Sequence, residues 1–237
     1  MRPILNLRPR AVDPIFGHPV LFSRAFQNEL PRDLPVRCNV DESGFLDEVD
    51  STIFRFQPTS EVEVRCARGK FIGVAVTGFD TLRFFSRQDE PIDASYFERR
   101  VKSAFARRQA MFGDELALTS RRAYRMVAAD NDELPFVTID MYCDVAVLKS
   151  PLLQTRFRTW LVDAIRSVTG CVRVVERAAD GSGKWLGGDV ADGASSVVSI
   201  DEHGLEFQVD VINGHKTGFY LDQVRRGSET SFFVDDS

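Results

Sequence analysis

Histidine is scarce in this sequence and cysteine is scattered. His18, His203 and His215 are the three histidines, and none stands at zinc-finger spacing. The four cysteines, Cys38, Cys66, Cys143 and Cys171, form no CxxC pair, so no metal centre is expected. Four widely spaced thiols fit a reducing cytoplasm better than a disulfide framework, and the chain is expected to be cytoplasmic. No apolar run reaches the length of a membrane span, and no membrane partner is expected. The arginine-bearing start (Arg2, Arg8, Arg10) lacks the apolar segment that a secretory signal carries behind its charges. An excess of positive charge is missing as well. The formal net charge is −5, which taken alone speaks against a polyanionic partner.

What is present is an ordinary globular composition, 43% hydrophobic and 27% charged over 237 residues. That length buries a sizeable core in one large domain or two small ones. The charge is also unevenly placed. Residues 93–125 carry eight Lys/Arg against four acids, whereas residues 126–210 carry seven against fourteen. A basic front and an acidic back can direct a polyanion to one face.

Residues 15–90 read as mostly β, with short apolar runs at Val20–Phe22, Val62–Cys66, Phe71–Val76 and Thr81–Phe85, and with Gly69, Gly73 and Gly78 as turn or bulge positions. Such strands with close turns suggest a small barrel or sandwich. A helix follows, with Asp93 as N-cap. Phe97, Val101, Ala104, Phe105 and Phe112 share its apolar face. Arg99, Arg100, Lys102 and Arg107 lie opposite with no acid among them. Arg108 projects from the apolar arc and is expected to pair with a carboxylate. A hairpin is expected over residues 124–149 around the acidic turn Asp130-Asn131-Asp132-Glu133, with a break at Tyr142-Cys143-Asp144. A second helix after Pro151 ends at Gly170. It is followed by a strand at Val172–Glu176, a polar glycine-rich loop through Gly193, and strands at Val197–Ile200 and Leu205–Val211.

Most chemical motifs dissolve on inspection. Asp180-Gly181-Ser182-Gly183-Lys184 resembles a phosphate loop, but a Walker A motif needs glycine where Ala178 stands and Ser/Thr where Trp185 stands. A nucleophile elbow needs glycines where Asp180 and Lys184 flank the glycine pair and serine, so hydrolase chemistry is not expected. The acidic turn could hold a cation through hard oxygens, but a solvated turn is the expected state. The most specific stretch is Asn213 to Gln223, where glycines flank Lys216-Thr217 and where Phe219, Asp222 and Gln223 add stacking and polar groups.

Gly214-His215-Lys216-Thr217-Gly218-Phe219-Tyr220-Leu221-Asp222-Gln223 is similar to the signature that precedes the donor-binding core in PUA-domain-containing rRNA large-subunit cytosine-5 methyltransferases. Three further stretches resemble that family in the same order. These are Gly17-His18-Pro19-Val20-Leu21-Phe22-Ser23, Asp89 to Asp93 with Phe97 and Arg108, and Tyr124 to Tyr142; Val175-Glu176-Arg177 resembles the last strand of the family's middle domain. The resemblance covers about residues 15–224. It implies an α+β fold with a PUA-like β-barrel (15–90), a middle α/β domain (93–190) and the incomplete start of a Rossmann-type methyltransferase domain (195–237).

By that resemblance, Lys216, Thr217, Phe219, Asp222 and Gln223 are the candidate contacts to S-adenosylmethionine. His18, Arg99, Arg100, Lys102 and Arg107 are the candidate contacts to structured, ribosomal RNA. No residue is expected to be catalytic, because the family's nucleophilic cysteine and donor loop have no counterpart after Gln223. The expected function is RNA binding by the front part of such a methyltransferase. The alternatives are methyl transfer when a catalytic domain is supplied from elsewhere, or an inactive truncated product whose strand Leu205–Val211 lacks a partner sheet. The family's glycines are replaced by Glu133, Phe136 and Cys143, which matters if those positions need positive φ.

Overall fold

The computed structural model describes residues 2, 4–6, 20–22, 61–66, 68–77, 81–113, 122–178, 180–186, 195–202, 204–219 and 221. His18, Asp222, Gln223 and the acidic segment 41–50 lie outside the described residues. The strands are β1 (Ile4–Asn6), β2 (Val20–Phe22), β3 (Glu61–Arg65), β4 (Phe71–Thr77), β5 (Thr81–Ser86), β6 (Ala123–Ala128), β7 (Thr138–Tyr142), β8 (Val145–Lys149), β9 (Arg173–Arg177), β10 (Gly183–Trp185), β11 (Val197–Glu202) and β12 (Leu205–Asp210). The helices are α1 (Ala94–Phe112) and α2 (Phe157–Thr169).

The first sheet runs in the order β1-β3-β4-β5-β2 and is open among the described residues, where a small barrel or sandwich was the expectation. Bulges at Val64/Arg65 and Val74/Ala75 bend it. Gly73 stands beside the second bulge. A Cβ there would meet the Ser86 carbonyl oxygen at 2.5 Å and the Phe84 ring at 2.8 Å, so β4 and β5 approach only because the residue is glycine.

The middle sheet runs β10-β9-β8-β7-β6, with β8 and β9 parallel and α2 as the crossover between them. The break expected at Tyr142-Cys143-Asp144 is a two-residue loop joining β7 to β8. The loop at Asp180 to Lys184 is also ordered: it turns β9 into the short edge strand β10. Strands β7, β8 and β9 are buried on both faces, and period-two alternation sorts their residues. Ile139, Met141, Ala146, Leu148 and Val174 join the core beneath α1 and α2. Tyr142, Val145, Val147 and Val175 join a second core with Val198, Ile200, Val209 and Val211 from the β11–β12 hairpin. Strand β12 therefore has both a paired neighbour and a covering sheet, whereas the alternative of an inactive truncated product has it lacking a partner sheet.

Both helices carry their terminal signals. Asp93 caps α1 by accepting the Tyr96 N–H at 3.0 Å. Gly170 closes α2 in the left-handed conformation, donating its N–H to Arg166 O. Phe85 of β5 enters the same core as Tyr96, Phe97 and Phe157, with ring centroids 5.8–6.4 Å from it. The Tyr96 hydroxyl donates to the Phe85 carbonyl at 2.7 Å. The first and middle sheets thus share one hydrophobic core across the boundary drawn near Asp93.

Glu133, Phe136 and Cys143 all have positive φ, at 55°, 66° and 55°. These are the three positions at which glycine was noted as replaced, and a Cβ in this region costs about 1–2 kcal/mol. Cys143 opens the two-residue loop between β7 and β8, where a positive φ favours glycine. Cys143→Gly is therefore expected to raise the melting temperature by roughly 2 °C, and Cys143→Ala, which keeps the Cβ, to give no gain. A Gly variant that melts below the parent would show that strain at this loop is not limiting.

Candidate functional site

Two constellations stand out, one on each face of the middle sheet. The first joins α1 to the connection between β6 and β7. Asp132 is 2% exposed. Its Oδ2 accepts from Arg108 Nη2 at 2.6 Å and from the Ala128 N–H at 2.7 Å, and its Oδ1 accepts from Arg107 Nη2 at 2.9 Å. Arg108 also donates from Nε to the Arg125 carbonyl at 2.9 Å, in agreement with a carboxylate-paired reading. Asp130 pairs with Arg83 of β5, Glu133 with Arg100, and Glu90 with Arg99. The acidic turn is thus the counter-charge of the helix and of β5, where a solvated turn was expected. Of the four expected RNA contacts on α1, Arg99, Arg100 and Arg107 each hold a carboxylate, while Lys102 is exposed. Among the described residues no group of three or more His, Cys, Asp or Glu is placed to hold a metal ion.

Burial pushes the Asp132 carboxyl upward, but hydrogen bonds from Arg108, the Ala128 N–H and Arg107 outweigh it and hold the group below the usual carboxylate range.

The second constellation anchors the turn after β12. Asp140 and Tyr142 of β7 point to the face opposite α1, and both reach Thr217. The Thr217 hydroxyl donates to Asp140 Oδ2 at 2.6 Å and lies 3.2 Å from the Tyr142 hydroxyl. Tyr142 in turn accepts the Phe219 N–H at 3.1 Å. Arg125 meets Asp140 through two bonds, at 2.9 and 3.1 Å. Burial pushes the Tyr142 phenol up to about 12, so it is a neutral hydroxyl at physiological pH. Arg177 of β9, 2% exposed, donates to three carbonyls of the turn: Lys216 O at 2.8 Å, Ile212 O and Gly214 O. The turn lies so close to the sheet and to β12 that side chains are excluded at two of its glycines. A Cβ on Gly218 (φ 127°) would meet Val209 Cγ1 at 2.7 Å, and one on Gly214 would collide with Asp210 O.

The expected donor contacts therefore divide. Thr217 is buried and its hydroxyl is engaged by Asp140 and Tyr142. Phe219 packs on Phe207 with centroids 5.2 Å apart. Lys216 is exposed, at φ 56°, with its carbonyl held by Arg177. Thr217 and Phe219 thus face the protein interior, whereas Asn213, His215 and Lys216 are exposed. Sequence reasoning missed Asp140, Tyr142, Arg125 and Arg177. The signal available was parity: Asp140 and Tyr142 alternate with apolar Ile139 and Met141, and Arg177 shares the parity of Val175.

This chain is similar to ribosomal RNA large subunit methyltransferase I of several bacteria. It is 37% identical to that of Shewanella denitrificans over 146 residues, covering 57% of this chain and 35% of the relative. It is 34% identical to that of Alteromonas mediterranea over 159 residues, covering 64% and 38%. The chain thus spans little more than a third of the length of these curated relatives. Its fold matches a Streptococcus mutans protein assigned as a SAM-dependent methyltransferase, with a TM-score of 0.68 and 22% identity, over 94% of this chain and 52% of that one. A second solved structure, of SMU.776, assigned as a methyltransferase and complexed with SAH, gives a TM-score of 0.58 at 23% identity, over 69% of this chain and 42% of that one. No family model matches the chain.

Two substitutions test these networks. Asp132 has a depressed folded pKa, so its contribution is present above the unfolded value near 4 and is lost as pH falls through the folded one. Asp132→Asn is expected to cost about 3 kcal/mol at pH 7, because two arginines lose their counter-charge, and to flatten the acid limb of the stability profile. Unchanged acid sensitivity in urea melts across pH 2–6 would remove Asp132 from that role. Thr217→Val keeps the shape and deletes the hydroxyl. It is expected to cost about 1–3 kcal/mol and to speed amide exchange at Phe219; exchange at parental rates would mean that the turn is held without this hydrogen bond.

Proposed function

We propose that this chain serves as the RNA-binding and positioning part of an S-adenosylmethionine-dependent rRNA methyltransferase of the large-subunit cytosine-5 type. The first sheet belongs to a PUA-like domain, the middle sheet with its two helices forms the second domain, and the β11–β12 hairpin opens the third. The observation that carries the reading is the anchored turn. Arg177 and the Asp140–Thr217–Tyr142 network fix, on the back of the middle sheet, the same Gly-His-Lys-Thr-Gly-Phe stretch that resembles the signature ahead of the family's donor core. The similarity to rRNA methyltransferases along more than half of the chain supports the same reading.

In this reading Thr217 and Phe219 act by placing the turn, and Lys216, Asp222 and Gln223 are its candidates for touching the donor. The methyl donor supplies an electrophilic methyl group. No transfer step is assigned to the described residues; Thr217, Asp140, Tyr142 and Arg177 hold the turn. The RNA face is the exposed side of α1, and His18 is kept as a further candidate contact. Because Arg100 and Arg107 are held by Glu133 and Asp132, Lys102 and the more exposed Arg99 are expected to carry most of the phosphate contact.

Binding of a fluorescein-labelled RNA hairpin, followed by anisotropy, tests the proposal. Two phosphate contacts predict a loss of affinity of roughly 7- to 12-fold between about 50 and 200 mM salt. Arg99→Glu with Lys102→Glu is expected to weaken binding at low salt and to shallow the salt slope. Affinity independent of salt, or untouched by the double change, would reject α1 as the RNA face.

A further inference from the structure

A cleft of about 770 Å³ opens where β5 and the loop after it meet the first turns of α1 and the connection between β6 and β7. Three arginines (Arg87, Arg99, Arg100) and three carboxylates (Glu90, Asp130, Glu133) line it. Each carboxylate is matched, by Arg99, Arg83 and Arg100 respectively. A wall of paired charges suits a planar group that carries hydrogen-bond donors and acceptors. Amide side chains for such a group are at hand in Gln88, from the loop after β5, and Asn131, from the connection between β6 and β7.

Arg87 supplies the surface. It is exposed, and its Cζ lies 3.6 Å from the centroid of the Phe84 ring, which is itself buried in β5. A guanidinium resting on an aromatic face is held flat with little rotamer freedom. Arginine planes held in this way are stacking platforms for unpaired bases. The volume is ample for one nucleotide.

We propose that this cleft takes one unpaired, non-reacting base of the bound RNA, stacked on Arg87 and read at its edge by Gln88 and Asn131. This inference rests on the RNA-binding reading above and adds which part of the RNA is gripped and where. It gives the protein a reason to prefer a loop or bulge over a continuous duplex, since a paired base cannot enter.

The test uses the purified chain and two RNA hairpins that differ only in the place of a single 2-aminopurine, one unpaired in the loop and one paired in the stem. Fluorescence of the loop probe is expected to fall saturably by at least twofold on titration, and that of the stem probe to stay constant. Arg87→Ala, an exposed change, should abolish the quench and weaken loop-hairpin binding by roughly 5- to 20-fold. Asn131→Ala, which leaves Arg87 in place, should weaken binding less and keep the quench. Arg87→Lys retains the charge without the plane and should behave like the alanine variant; full recovery of quench and affinity by lysine would overturn stacking. Anisotropy separates the two ideas. Binding of both hairpins with no quench overturns the cleft alone and leaves the RNA face of α1 standing, while binding of neither overturns both.

Discussion

The buried carboxylate of Asp132 is the interaction on which the front of this molecule depends. A lone charge at 2% exposure would cost several kcal/mol to desolvate. Here two arginines and a backbone N–H surround it, and those arginines come from adjacent positions of α1 that face different ways around the helix. Arg107 belongs to the solvent face and Arg108 to the apolar arc. Gripping both fixes the rotation of α1 about its axis, and with it the face that carries Arg99 and Lys102. The neighbouring pairs Arg100–Glu133 and Arg83–Asp130 repeat the arrangement to either side and draw the first sheet into the same lattice. A helix that reads as strongly basic in isolation is, once folded, only modestly so.

The middle sheet does the corresponding work for the other end of the chain. Its central strands are buried on both faces, and the two-residue period delivers aliphatic side chains to the helices and a mixed set, Asp140, Tyr142 and Arg177, to the back. The polar members of that set are satisfied by the backbone and hydroxyl of one short turn. Three carbonyls on a single guanidinium leave that turn little freedom, and glycine at 214 and 218 is what allows it to come so near. A turn held in this way through its main chain keeps a fixed place on the sheet.

Glu133, Phe136 and Cys143 show a cost accepted in this fold. All three sit in the left-handed region without being glycine. Two of them have contacts that offset part of the strain: Glu133 pairs with Arg100, and the Phe136 ring lies 5.1 Å below the Arg83 guanidinium. The Cys143 thiol donates to Ser199 O at 3.4 Å and the residue packs against the second core.

Local signals determined much of this architecture from sequence alone. The Asp93 cap, the Gly170 stop, the apolar stripes of α1 and α2 and the strands from β3 onward other than β10, which lies in a stretch read as loop, rest on interactions within a few residues, which a linear reading captures. The resemblance of the Asn213 to Gln223 stretch was legible for the same reason, since it is a contiguous string. What only the tertiary structure decided are the partnerships between distant segments. Asp132 and Glu133 lie 24 and 33 positions from Arg108 and Arg100, which they neutralise, and Thr217 finds Asp140 across 77 positions. Neither distance leaves a local trace, because charge and hydrogen-bond pairing act through space while sequence patterns record only which face a residue occupies.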